Sequence, residues 1–339
     1  MHINNAKPGM ILSRDLLDDN GNLLLEEGIT LTETYIGRLK KMGIRLITVY
    51  DSKSKPVNQV PAITSQLRAE LTQSFRALYT MKLEEILNPD LRTIRFRGIA
   101  KATDQTIDEL TVQLPNIMNV QVRQPGTDEI NHAVNVCLLS VIVGLYLRLP
   151  HSMLQHLAMG ALLHDLGKSI IPLIDGKPIN SPNMHTLYGR DLLLKSQQHP
   201  IISRIAAEHH EAYNGTGYPF GLSNASIHPL SRIVALANYF DITMTDATQQ
   251  RINREEVVEK MMGSGNTLFD VNLLRAFFNT IAIYPVGSLV RLNNGQTGYV
   301  VKNRPHFPLR PVVRIVSDSG HTDINLVYKP NMIIVEVEE

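Results

Sequence analysis

Cysteine is nearly absent from this chain: its 339 residues include one, Cys137, and there is no tryptophan. A single thiol cannot form a disulfide within the chain, so the fold must rest on a packed core, and such usage fits a reducing cytosol. Cys137 lies in the apolar run V134-N-V-C-L-L-S-V-I-V143 and reads as a buried structural thiol. Charge is also sparse. Only 19% of residues are charged, and 33 Lys and Arg against 32 Asp and Glu leave a formal net charge of +1. A dedicated nucleic-acid binder would show a basic stripe, so this balance argues against that class. The longest greasy stretch, Ala133 to Leu147, is interrupted by Asn135 and Ser140 and is too short for a bilayer. The start, M1-H-I-N-N-A-K-P-G9, holds no apolar signal core. These absences predict a cytoplasmic protein without a membrane span. No internal repeat or low-complexity segment is evident.

What is present is a change of texture along the chain. The expected fold is multidomain, a central all-α bundle flanked by a small N-terminal α+β domain and a small C-terminal β domain. Residues 1–55 form the first: Asn20-Gly21 marks a hairpin turn, T30-L-T-E33 reads as a capping box opening a helix with Tyr35, Leu39 and Met42 on one face, Gly43 ends it, and R45-L-I-T-V-Y50 reads as a strand. Residues 56–89 hold a linker and an amphipathic helix from Ser65 to Asn88, with Leu67, Leu71, Phe75, Leu78 and Met81 at helical spacing. That face packs within the chain or against a second copy in a homodimer. Residues 90–283 carry most of the helical pattern. Residues 284–339 read as an antiparallel β module with a turn at Asn294-Gly295 and strands near 312–316 and 333–337.

The chemistry concentrates in the helical part. Of 12 histidines, five fall in order with an aspartate: His132, His164-Asp165, His185 and His209-His210. Neutral imidazole and carboxylate are the donors that hold Fe, Mn or Zn, and a two-metal hydrolytic site needs about this many. His132 lies on an apolar helix with Asp128 one turn earlier. His164 and Asp165 close a helix beginning near Ser152, and Gly167 turns the chain. His185 precedes a helix expected over Leu187–Lys195. His209 and His210 end another helix, before E211-A-Y-N-G-T-G-Y-P219. Taken singly each element is weak, since a lone histidine on an apolar face is usually a hydrogen-bonded core residue. Their order and helix-end placement together point to metal. His2, His151, His156, His199, His228, His306 and His321 show no such arrangement.

The two signatures, G160-A-L-L-H-D-L-G-K168 and H209-H-E-A-Y-N-G-T-G-Y-P219, resemble those of the HD-GYP family, the branch of the HD phosphohydrolases that hydrolyses cyclic di-GMP. The resemblance covers about residues 125–283. It implies an all-helical catalytic domain around two, sometimes three, iron or manganese ions. His132, His164, Asp165, His185, His209 and His210 would be ligands, with Asp165 bridging and Asp128 a carboxylate for a third ion. Asp165 and Lys168 would form the catalytic pair, Lys168 on a substrate phosphate. Gly217, Tyr218 and Pro219 would shape a rim for the nucleotide or for a partner such as a diguanylate cyclase.

Two positions depart from the family pattern. After R232-I-V-A-L-A237 the family places an aspartate that completes one ion's ligands; here Asn238 stands there and the second aspartate, Asp241, follows as a supporting partner of a ligand. An amide oxygen carries no charge, which predicts weaker and partial metal occupancy. The Arg-Pro-Tyr-Arg-like phosphate grip is replaced by D246-A-T-Q-Q-R-I-N-R254, leaving Arg251 as the candidate contact. The expected function is metal-dependent hydrolysis of cyclic di-GMP to the linear dinucleotide or GMP. The alternatives are an inactive member serving as a receptor or interaction module, and an HD hydrolase of another nucleotide.

Overall fold

A computed structural model of the chain describes residues 2–12, 16–17, 23–26, 28–47, 49, 60–123, 128–170, 183–250, 253–317 and 320–338. By its internal contacts the chain divides into two units, one of Met1–Pro61, Met118–Gln121 and Ala282–Glu339, the other of Ala62–Ile117 and Val122–Ile281.

In the first unit, β1 (Leu16–Leu17) pairs antiparallel with β2 (Leu23–Leu25), and α1 (Glu33–Lys41) opens on Thr32, whose hydroxyl accepts the Tyr35 N–H. The cap is therefore Thr32 and not Thr30, which makes a bridge to Ile11 instead. The helix turns Ile36 and Leu39 into a core with Ile3, Leu12, Leu31 and Ile47, while Met42 is exposed, so the buried stripe differs from the expected one. Gly43, at φ +80°, reverses the chain after the helix. The strand expected over 45–50 does not form among the described residues. Leu46 bridges His2 and Val49 bridges Leu12, two different partners that build no continuous ladder. The turn at 19–22 and the linker at 52–59 lie outside the described residues.

The C-terminal part of this unit is a five-stranded antiparallel sheet in the order β8-β7-β6-β5-β9, formed by β5 (Leu289–Leu292), β6 (Thr297–Lys302), β7 (Val312–Ser317), β8 (Gly320–Asn325) and β9 (Ile334–Glu338). Gly295, at φ +83°, makes the β5–β6 turn expected there. Strand β8 escaped the sequence reading because it is an edge strand, largely exposed and polar, without the apolar alternation that marks its neighbours. Two short strands, β3 (Val60–Pro61) and β4 (Val120–Gln121), pair in parallel. Asn303 is buried and donates to the carbonyls of Met118 and Tyr284, both at 2.9 Å, and its own N–H meets Asn119 Oδ1 at 2.9 Å.

The second unit is helical: α2 (Ser65–Tyr79), α3 (Leu83–Leu87), α4 (Pro89–Gln113), α5 (Glu129–Tyr146), α6 (His151–Leu162), α7 (Met184–Lys195), α8 (Pro200–Glu208), α9 (Pro229–Gln250), α10 (Arg254–Gly263) and α11 (Val271–Phe278). The single helix expected from Ser65 to Asn88 is interrupted at 80–82. Thr80 Oγ1 turns back onto Arg76 O at 2.8 Å, and Glu85 then accepts the Lys82 N–H to start α3. Its apolar face is buried within the chain as spaced, packing on α4 and α5. Asn88 caps α4, with Pro89 at the first position, where a missing N–H is harmless.

Helix α5 is apolar on all sides and buried along nearly its whole length, as a central core helix should be. By length and composition it is apolar enough to cross a membrane; here α2, α6 and α9 cover it. Glycines set the closest helix contacts. A Cβ on Gly144 would lie 2.8 Å from both Leu154 and Leu157, and one on Gly160 would lie 2.3 Å from Ile205. These packings bring the ends of α6 and α8, and the start of α5, toward one place.

Candidate metal centre

Asp165 stands in the turn after α6 and is 3% exposed. Its Oδ2 lies 3.3 Å from His164 Nε2 and 4.0 Å from His132 Nε2; its Oδ1 lies 3.2 Å from His185 Nε2 and 3.4 Å from His209 Nε2. His210 completes the second side, its ring 5.1 Å from that of His185 and 4.1 Å from that of His209. The donor atoms thus form two groups that share one carboxylate: His132, His164 and Asp165, and Asp165, His185, His209 and His210. Helix α7 begins at Met184, so His185 sits in its first turn and not before it.

The hydrogen bonds decide which ring nitrogen faces inward. His164 Nδ1 meets the Ala161 carbonyl at 2.7 Å and His209 Nδ1 the Ala206 carbonyl at 2.9 Å. A carbonyl only accepts, so both Nδ1 atoms donate and both Nε2 atoms keep their lone pairs. His132 Nδ1 meets Asp241 Oδ2 at 2.8 Å, with the same result. In each ring the nitrogen turned toward Asp165 is therefore a donor fit for a cation.

Burial pushes His209 down to about 4 despite its contact with Asp165. Burial and then the adjoining His209 push His210 down to about 2. Both rings are neutral near pH 7, the form that binds metal. For Asp165, burial favours the neutral acid, but the imidazoles, His164 first, outweigh it and hold the carboxyl well below its usual range. Lys168 Nζ is 2.6 Å from Asp165 Oδ2 and 3.2 Å from Glu129 Oε2. Burial opposes its charge, yet these two carboxylates outweigh burial and raise it.

Four buried polar atoms in this region make no hydrogen bond: His132 Nε2, His164 Nε2, Asp165 Oδ1 and Asn238 Oδ1. The approaches of His185 and His209 to Asp165 Oδ1 are close but lack hydrogen-bond alignment. A buried polar atom without a partner is costly, and four such atoms at expected ligand positions are what a cation would satisfy. The residues fit a divalent metal pair.

Not every expected residue joins the two groups. Asp128 caps α5, its Oδ1 accepting the Asn131 N–H at 2.9 Å. Asn238 is buried on α9, one turn before Asp241. Arg251 lies outside the described residues. Tyr218 stacks on His210 with ring centres 4.7 Å apart, and its N–H reaches His210 O at 3.2 Å. Gly217 permits this: a Cβ there would fall 2.2 Å from Ala212 N. The Tyr218–Pro219 bond is cis.

Sequence reasoning missed four residues. Glu211 pins the loop, its carboxylate accepting the N–H groups of Phe220 (2.8 Å) and Leu222 (2.9 Å). Arg123 Nε bonds Asp241 Oδ1 at 2.5 Å, Asn135 Nδ2 reaches the same oxygen at 3.2 Å, and Arg68 Nη2 holds Asn135 Oδ1 at 2.5 Å. Glu211 carried a faint signal in His-His-Glu; the others carried none.

Residues 116–273 match the HD domain family, and residues 289–339 match the KOW domain associated with HD domain. A protein named cyclic di-GMP phosphodiesterase PA4108, from Pseudomonas aeruginosa, is 29% identical over 320 residues, covering 88% of this chain and 77% of that protein. Cyclic di-GMP phosphodiesterase PdeB from Borreliella burgdorferi is 27% identical over 56% of this chain and 52% of its own length. A 3'3'-cGAMP-specific phosphodiesterase 2 from Vibrio cholerae is 26% identical over 50% of this chain and 34% of that protein. The chain thus spans about three quarters of the first relative and about half of the second. The solved structure of Bd1817, an HDG"Y"P protein from Bdellovibrio bacteriovorus, aligns with a TM-score of 0.49 at 18% identity, covering 82% of this chain and 97% of that one. Both signature doublets fall within the residues that match the HD domain, and the residues that match its associated KOW domain follow them, so the chain carries an HD domain.

Proposed function

We propose that this chain is a metal-dependent phosphodiesterase that hydrolyses cyclic di-GMP to the linear dinucleotide or GMP in the cytosol. The observation that carries the reading is a buried carboxylate, Asp165, shared by two groups of imidazoles. Relatives named for cyclic di-GMP and for 3'3'-cGAMP support the substrate class, a cyclic dinucleotide.

Bound there, two divalent cations, iron or manganese, would supply the acidity that makes water nucleophilic near neutral pH and would offset charge on the phosphoryl oxygens. In this reading His132, His164, Asp165 and the neutral oxygen of Asn238 would hold one cation, and Asp165, His185, His209 and His210 would hold the other. Lys168, kept protonated by Asp165 and Glu129, exchanges Glu129 for a phosphate oxygen of the substrate. Tyr218, fixed against His210, walls the site beside the phosphate and excludes water from that flank. Asp128 reaches a third cation only by leaving its cap, so that position is the weakest of the set. Arg251 remains a candidate phosphate contact.

The deciding experiment is anaerobic purification, metal counting and a cyclic di-GMP hydrolysis assay with added Mn and Fe. We expect up to two ions per chain and turnover that disappears when His164 and Asp165 are both replaced by alanine. Metal-loaded wild type that hydrolyses neither cyclic di-GMP nor 3'3'-cGAMP would overturn the reading. Asn238 favours a second reading, a cyclic di-GMP receptor of little activity, because its amide brings no charge to the cation. Asn238→Asp then raises occupancy and turnover together; vigorous hydrolysis by wild type excludes it.

A further inference from the structure

His164 and His209 are oriented by carbonyls of their own helices, whereas His132 is oriented by a side chain. Its Nδ1 rests on Asp241 Oδ2 at 2.8 Å, so the ring is only as fixed as that carboxylate. Asp241 lies 109 residues away in sequence and swings about two torsions unless its other oxygen is held. Two donors hold it. Arg123 Nε meets Oδ1 at 2.5 Å, and Asn135 Nδ2 meets it at 3.2 Å. Arg123 is itself aimed, its Nη2 reaching Thr245 Oγ1 at 2.9 Å and Asp241 O at 3.3 Å. The Asn135 amide is aimed by Arg68, whose Nη2 binds its oxygen at 2.5 Å while Nη1 binds Val122 O at 3.1 Å. Arg68, Asn135 and Asp241 are buried, at 6%, 1% and 2% exposure.

From this chain of contacts we infer that Arg123 and Asn135, with Arg68 behind them, are positioning residues for one of the two cation positions. They lock Asp241, which keeps the proton on His132 Nδ1 and presents Nε2 beside His164 and Asp165. The inference rests on the two-cation reading above and adds an asymmetry to it. The hydrogen bonds of this network end at His132 and not at His209 or His210 among the described residues, so its loss should touch one position and spare the other. The effect matters more because Asn238 brings no charge there. Removing such an outer partner typically lowers metal affinity about 10–100-fold.

The test uses the full chain and the variants Arg123→Met, Arg123→Lys and Asn135→Ala. Nitrogen-15 imidazole spectra of chelator-treated protein report the His132 tautomer without any metal. We expect a single Nδ1–H form in wild type and mixed tautomers in Arg123→Met and Asn135→Ala. Arg123→Lys should fall between, since lysine keeps the charge but not the planar fork. Titration with Mn(II) should then show one of two ions weakened about 10–100-fold and the other unchanged. An unaltered tautomer in a folded Arg123→Met would overturn the inference, as would equal weakening of both ions. If Arg123→Met does not fold, Asn135→Ala and Arg123→Lys decide by the same spectra. Failure of wild type to hydrolyse cyclic dinucleotides would sink the proposed activity while leaving the tautomer result intact.

Discussion

Asp165 faces His164 and His132 with one oxygen and His185 and His209 with the other, so substitutions around it should not be equivalent. Asp165→Asn removes the charge common to both groups, and both ions should be lost on metal counting. Turnover should fall by more than about 100-fold, beyond the effect of an outer partner alone. His210→Ala takes a donor from one group only, and about one ion per chain should remain. Equal metal content in the two variants would contradict the shared carboxylate. The histidines and the aspartate that the fold brings together were legible in the sequence, because histidines bracketed by helix ends and glycines stand out. Arg123 and Asn135 were not. They are ordinary polar residues, 118 and 106 positions from Asp241, and only the fold reveals whom they serve.

Between elements, Gly167 is the point of tightest passage. A Cβ there would lie 1.9 Å from His185 O and 2.7 Å from Gly189 N, both backbone atoms that cannot swing aside. Gly167→Ala must therefore push α7 outward and His185 with it. We expect destabilisation of about 1–3 kcal/mol in thermal or urea unfolding, with weaker metal binding. A variant with wild-type stability and metal content would show that α7 is free to shift. The long apolar run of α5 and the helical spacing of the α2 face could be read directly, since burial dictates both patterns. The break at Thr80–Lys82 could not, because it depends on a threonine hydroxyl and a glutamate bonding the backbone locally. Among the described residues of 45–50 the expected strand does not form, for the opposite reason: β-branched content does not supply a neighbouring ladder.

Across the whole chain, stability draws on contacts between distant segments. Asn303 satisfies the carbonyls of Met118 and Tyr284, 185 and 19 residues away, and Asn303→Ala leaves both unsatisfied in the interior. A loss of about 1–3 kcal/mol is expected, measured by urea denaturation; no change would mean that water replaces the amide freely. Acid should act elsewhere. Burial, then the ring of His199 stacked at 3.9 Å, lowers His156, and burial, then Arg204, lowers His228. The unfolded chain binds these protons near the ordinary value of 6.5, and the folded chain does so only at lower pH. Their contribution is complete above about pH 6.5 and declines as pH falls below it. Melting temperatures at pH 7.5 and 5.5 should show the decline, and His156→Gln with His228→Asn should reduce it, the remainder belonging to His209 and His210, which burial lowers to about 4 and about 2.

The central helix α5 carries one more consequence, for the order of synthesis. Two of the helices that cover it, α6 and α9, follow it in the chain, and α9 is finished only about a hundred residues later. At ribosomal rates that is roughly 5–20 s during which a strongly apolar segment waits without its later neighbours. The emerging polypeptide therefore offers chaperones and the insertion machinery a hydrophobic target that the finished molecule hides.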